Sequence, residues 1–305
     1  MPSAGEIRRQ VAEETERRNR LAVPSFAGGF LYLLSSIVIA ATLNNAPTVG
    51  LLQGLQPALS GVANPAVSPR AAEVKFISHR ALPLIAGSFV ASVAVLVLML
   101  ILLMLLRAVV YRRPNTWAAA RPLVVAGGIA VAIASLAHQI VSAIETHKFA
   151  VGHDLTGHAV EQALTKSTPD QIVAYLSLIA GLALAAGMIT VMINALRVGL
   201  LPRWMGILGM FSALLIFLPI GGATLQLVPA FWMVMMGLLN SQKWPGGDPP
   251  AWTEGEARPW PSRAQVQAER AGRDPRTAAG VADAPPAPAP VKASSRKRRK
   301  RGARG

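Results

Sequence analysis

The stretch HQIVSAIETH, His138 to His147, places two imidazoles and one carboxylate within ten residues. Groups of this kind bind divalent metals or pass protons. Wound as an α-helix at about 100° per residue, His138, Ser142 and Glu145 fall within about 60° of one another, whereas His147 points about 180° away from His138. The stretch therefore fails as one motif. What remains is a wall of His138, Ser142 and Glu145 at a polar mouth, with His79 as the candidate for the opposite wall. His138 and Glu145 are about 10 Å apart along the axis, too far to share an ion without a bridging water. His153 and His158 miss the four-residue spacing by which a helix offers two histidines to zinc. A metal centre would need convergence from separate segments, among them the carboxylates Glu145, Asp154, Glu161 and Asp170. No metal site and no cofactor is expected.

The elements that would position these groups are membrane helices. The 305 residues are 52% hydrophobic and only 15% charged, a balance that water-soluble domains seldom carry. Residues Ala81 to Leu106 contain no Asp, Glu, Lys or Arg, a run long enough to cross a hydrocarbon core of about 30 Å. Apolar runs free of acids and strong bases predict six spans: 21–43, 81–106, 123–144, 172–196, 204–220 and 223–239. The fold class expected is all-α, a six-span bundle at residues 21–240. A polar arm at 1–20 precedes it and a disordered basic Pro/Ala-rich tail at 241–305 follows. The last two runs are short and flank a turn-like Pro219, Gly221 and Gly222, so they read best as a tight helical hairpin, while a re-entrant pair would fit the same lengths.

Lys and Arg set the orientation, because they accumulate on the cytoplasmic side. The arm, the connections 107–121 and 197–203, and the tail hold 25 of them, against 5 in the loops 44–80 and 145–171. Both termini are thus expected to be cytoplasmic. All five histidines, His79, His138, His147, His153 and His158, then fall on the outer side or its edge. His138 is the one ionisable imidazole inside a span; a turn or two from the outer end, it reads first as a partly hydrated histidine at the interface, with a permease lining residue as the alternative and part of an enzyme site as a third reading. The other polar span residues, Ser88, Ser92, Ser135 and Asn194 among them, include no mid-depth acid or base, which disfavours a coupled transporter.

Local chemistry marks several helix starts. In Thr168-Pro169-Asp170-Gln171, Thr168 supplies a capping hydroxyl, Pro169 suits the first turn, and Asp170 sits near the positive helix end. Trp117 and Trp204 suit the interfacial belt. Within WPGGDPPAW, Trp244 to Trp252, the prolines and glycines stop the last helix and Trp244 reads as an interfacial anchor. Trp252 and Trp260 read first as part of the same anchoring segment, with docking of a partner by two exposed Trp in a Pro-rich strand as the alternative. The terminal run Arg296, Lys297, Arg298, Arg299, Lys300 and Arg301 suits an anionic lipid surface. It lacks the interleaved aromatics that stack on bases, so nucleic acid is disfavoured as its partner.

The text LRVGLLPRWMGILGM, the segment VPAFWMVMMGLLNSQKWPGGDPPAWTEGEARPWPS and the loop LLQGLQPALSGVANPAVSPRAAEV resemble a family of actinobacterial six-span integral membrane proteins of uncharacterised activity. The resemblance spans roughly residues 20–263. It implies a multi-pass protein of a bacterial plasma membrane, and no catalytic residues. The chain itself carries no phosphate loop, nucleophile elbow or His-Glu-x-x-His helix, and no cysteine. The expectation is a non-catalytic membrane protein whose partners are lipids, with another membrane protein or a second copy of the chain as further candidates.

Overall fold

The computed structural model describes residues 3–50, 67–114, 120–217, 225–245 and 247–260, with isolated positions 53, 59, 61 and 118. These residues are helical throughout their long elements and contain no strand; only an isolated bridge joins Val67 to Leu155. We number the helices α1 (Ala4–Leu43), α2 (Ala71–His79), α3 (Ala81–Arg112), α4 (Ala120–Val151), α5 (Gly157–Glu161), α6 (Thr168–Val198), α7 (Arg203–Phe217), α8 (Leu227–Asn240) and α9 (Pro250–Glu254). A single π-helical turn, Gln162–Lys166, links α5 to α6.

Helix α1 is 40 residues long and absorbs the whole polar arm. Its start is closed by a reciprocal capping box: Ser3 accepts the Glu6 amide and the Glu6 carboxylate accepts the Ser3 amide, so two end donors are satisfied without a partner helix. Helix α6 begins one residue earlier than expected. Ser167, in extended conformation, accepts the Asp170 amide, which puts Thr168 inside the helix and corrects the cap.

Four stretches are long and apolar enough to cross a membrane: α1, α3, α4 and the continuous Gly157–Val198 segment ending in α6. Helices α7 and α8 are equally apolar but only 15 and 14 residues long. At 1.5 Å per residue each covers about 22 Å, short of a hydrocarbon core of about 30 Å. The turn Pro219, Gly221 and Gly222 lies outside the described residues, as do Trp117 and the tail beyond Trp260.

The six larger helices close into a ring. Helix α1 packs on α3 and α8, α3 on α4, α4 on α6, α6 on α7, and α7 on α8; α3 also touches α6 across the middle. The core lies along that crossing. Leu98, Ile101, Leu102 and Leu105 of α3 and Met188 and Met192 of α6 are essentially inaccessible, with Trp232 and Met236 of α8 beside them. Close approach depends on glycine: a Cβ at Gly127 of α4 would lie 2.5 Å from the backbone nitrogen of Leu184, and one at Gly29 of α1 would lie 2.7 Å from the Ala230 carbonyl oxygen. Such small-residue contacts are how helices pack where lipid offers no hydrophobic drive between them. The ring's outside remains apolar, with Phe30, Ile133, Ile179 and Phe211 all more than half exposed, the surface of a body solvated by hydrocarbon rather than water.

Candidate functional site

One end of the bundle holds every histidine, and all five are exposed. His138 Nδ1 of α4 lies 3.1 Å from Asp170 Oδ1 in the first turn of α6, an imidazole-carboxylate pair bridging two helices. Ser142 and Glu145 share α4 with His138 but do not join this pair. The Ser142 carbonyl accepts the Thr146 hydroxyl, and the Glu145 carboxylate accepts Lys148 Nζ at 2.8 Å. His79 ends α2, which packs on α4, yet no hydrogen bond or ion pair joins it to His138 among the described residues. Asp154 accepts the Thr156 amide at 3.0 Å, and that bond holds its carboxyl below the usual carboxylate range. Among the described residues no three His, Asp or Glu groups assemble as a metal site.

Below this rim the polar residues serve packing. The Ser92 hydroxyl contacts the Ser88 carbonyl at 2.9 Å, the Ala132 carbonyl at 2.8 Å and Ser135 Oγ at 3.0 Å. It thereby ties α3 to α4. Asn194 donates to the Thr190 carbonyl, and Thr190 to that of Ala186. Trp232 Nε1 donates to the Met205 carbonyl at 3.0 Å, joining α8 to α7.

Among the described residues, the largest concentration of buried charge is at the other end. Arg112, the last residue of α3, has a fully buried side chain and grips Glu14 of α1 with two parallel bonds of 2.8 and 2.6 Å. Its Nε and Nη2 also donate to the Ala251 carbonyl, and Nη1 to that of Ala108. All five guanidinium N–H groups are therefore used, the condition under which a buried arginine escapes its desolvation cost. Glu14 accepts a further bond from Gln10. One helical turn on, Arg18 donates to Asp248 Oδ2 at 2.8 Å and to the Leu239 carbonyl. Its guanidinium lies 4.6 Å from the centre of the Trp252 ring, and that of Arg112 lies 5.5 Å away, both within cation–π range.

This collar is built by the segment after α8. Residues 247–260 fold back over the helix ends as a strap. Trp252 Nε1 donates to the Leu200 carbonyl at 2.9 Å, Trp260 Nε1 to the Leu201 carbonyl at 2.7 Å, and the Arg258 amide to the Val198 carbonyl at 3.0 Å. Gly199, in the left-handed region at φ 77°, ends α6 so closely beneath the strap that a Cβ there would sit 1.9 Å from the Arg258 carbonyl oxygen. Trp252 is 3% exposed, which rules out the alternative of an exposed docking residue: its indole is the centre of the collar. Trp244 instead stacks on the half-exposed Trp204, ring centres 5.9 Å apart, at the rim.

Sequence reasoning missed Glu14, Arg18, Arg112 and Asp248. One signal was present: acids at Glu6, Glu13, Glu14 and Glu16 interrupt an arm that orientation alone needs only to be basic. The run Arg296 to Arg301 lies outside the described residues. Comparison of the chain with protein-family models, with curated proteins and with solved structures finds no match.

Proposed function

We propose that the chain is a non-catalytic multi-pass protein of a bacterial plasma membrane, crossing six times with both termini cytoplasmic, and acting through packing and partner contacts. Kinship with the actinobacterial six-span family belongs to this reading and rests on the motif text. The observation that carries it is the use of interior polar groups as ties: Ser92 and Ser135 between α3 and α4, Trp232 between α8 and α7, and Glu14 with Arg112 between α1 and α3. A permease would keep such groups free to line a path. The terminal basic run binds the anionic inner leaflet, each Lys or Arg contributing about 1 kcal/mol.

The full chain in vesicles tests both parts. With the tail outside, trypsin cleavage within residues 296–301 should be slow on phosphatidylglycerol vesicles at low salt, and fast on phosphatidylcholine or at about 1 M salt, where the Debye length is about 3 Å. Equal rates throughout would overturn the tail's role. Solute or ion flux above that of protein-free vesicles, abolished by His138→Ala, would replace the non-catalytic reading with a permease whose mouth is the His138 and Asp170 pair.

A further inference from the structure

The arginines at the collar end form two populations. Helical phase turns Arg18 and Arg112 inward, where they are consumed by Glu14, Asp248 and main-chain carbonyls. The same phase turns Arg17 and Arg107 outward. Arg17, Arg107 and Arg121 line a cleft of about 720 Å³ between the ends of α1, α3 and α4, together with Tyr111 and an apolar floor that includes Leu103 and Leu106. No acid lines it. Arg107 and Arg121 have no carboxylate partner among the described residues, and Arg17 has only a half-exposed contact with Glu13 at 3.4 Å. A second groove of about 280 Å³ shares Arg17, Leu103 and Arg107, adds Arg20, and runs along Leu100 and Met104 of α3. Leu100 and Leu96, 45% and 37% exposed, continue this apolar surface along the helix.

We propose that this cleft binds one anionic phospholipid, its phosphate held by Arg17, Arg107 and Arg121 and an acyl chain laid along Leu103, Leu100 and Leu96. A planar guanidinium offers paired donors to a phosphodiester, and the Tyr111 hydroxyl can add another. The cleft volume is within the roughly 300–1,000 Å³ of ordinary ligand sites. Two arginines without a carboxylate partner among the described residues, Arg107 and Arg121, and Arg17 with only its half-exposed contact to Glu13, stand above an apolar trough and match a lipid, charged at one end and apolar at the other. A free phosphate would use only the upper half. The inference rests on the membrane reading above but not on the tail.

The full chain, purified from membranes and exchanged into phosphatidylcholine nanodiscs carrying a minor fraction of phosphatidylglycerol, should retain about one phosphatidylglycerol by native mass spectrometry. Affinity should fall about fivefold for each arginine replaced, in Arg121→Gln and in Arg107→Gln, with helical circular dichroism confirming the fold. Arg121 is exposed, so its variant tests the site even if the α3 variant unfolds. A chain ending at Trp260 should keep the lipid, whereas loss there would assign it to the tail and overturn the site. Wild-type retention in folded Arg121→Gln would also overturn it. Inorganic phosphate displacing the lipid or matching its thermal stabilisation would reduce the site to a phosphate pocket and overturn the lipid assignment.

Discussion

Arg112 shows how much a single buried cation asks of its surroundings. Its five donors meet one carboxylate and two carbonyls from three parts of the chain. Removing one partner strands a charge in a dry site at about 3–5 kcal/mol. Arg112→Ala and Glu14→Ala should each lower thermal stability in detergent by that order, and Arg112→Lys should not restore it, because an ammonium lacks the fork that spans Glu14 and Ala251. Asp248→Asn should cost clearly less. Asp248 is 14% exposed and makes one bond to Arg18, whose Nε is already without a partner among the described residues. Little of this was legible in the sequence. Glu14 and Arg18 read as surface charge because α1 was expected to become a membrane element only after residue 20. The His138 partner was hidden for a related reason: Asp170 was visible as a helix-start acid, but which neighbouring helix it faces is decided by packing, not by spacing.

At the scale of elements, the apolar runs located the long helices well, since composition alone decides which segments lipid accepts. Their ends were harder. Helix α4 runs to Val151 and α1 back to Ala4, because helices continue past the hydrocarbon boundary while a hydropathy run stops at it. The start of α6 shows the finest error. Ser167 and Thr168 are both capping residues by type, and backbone geometry selects Ser167. Ser167→Ala should therefore destabilise by about 1 kcal/mol and Thr168→Ala by much less, a difference readable in paired thermal melts. Gly199 was read as part of a loop, but no other residue type satisfies both its left-handed backbone and the strap above it.

For the whole molecule, the sequence established the membrane class and an all-helical body, whereas the order of helices around the ring depends on contacts no single segment encodes. The absence of cysteine makes the proposed six crossings directly measurable. Single substitutions His153→Cys and Leu225→Cys should react with a membrane-impermeant maleimide on intact cells, and Lys243→Cys only after permeabilisation. If Leu225→Cys stays silent until permeabilisation while His153→Cys reacts, α7 and α8 form a re-entrant pair rather than two crossings.

The strap gives the molecule a timetable. Ribosomes deliver α1 and α3 long before residues 247–260, so Arg18 waits for Asp248, and the Trp252 indole closes over the helix ends only after every helix of the ring has been made. Until then the nascent bundle carries an unfinished polar wound that membrane proteases can recognise. Chains terminated after Gln242 should be degraded several-fold faster in cells than chains terminated after Trp260, as pulse-chase labelling would record. A segment made after all the helices of the ring thus acts as a seal of completion on the bundle.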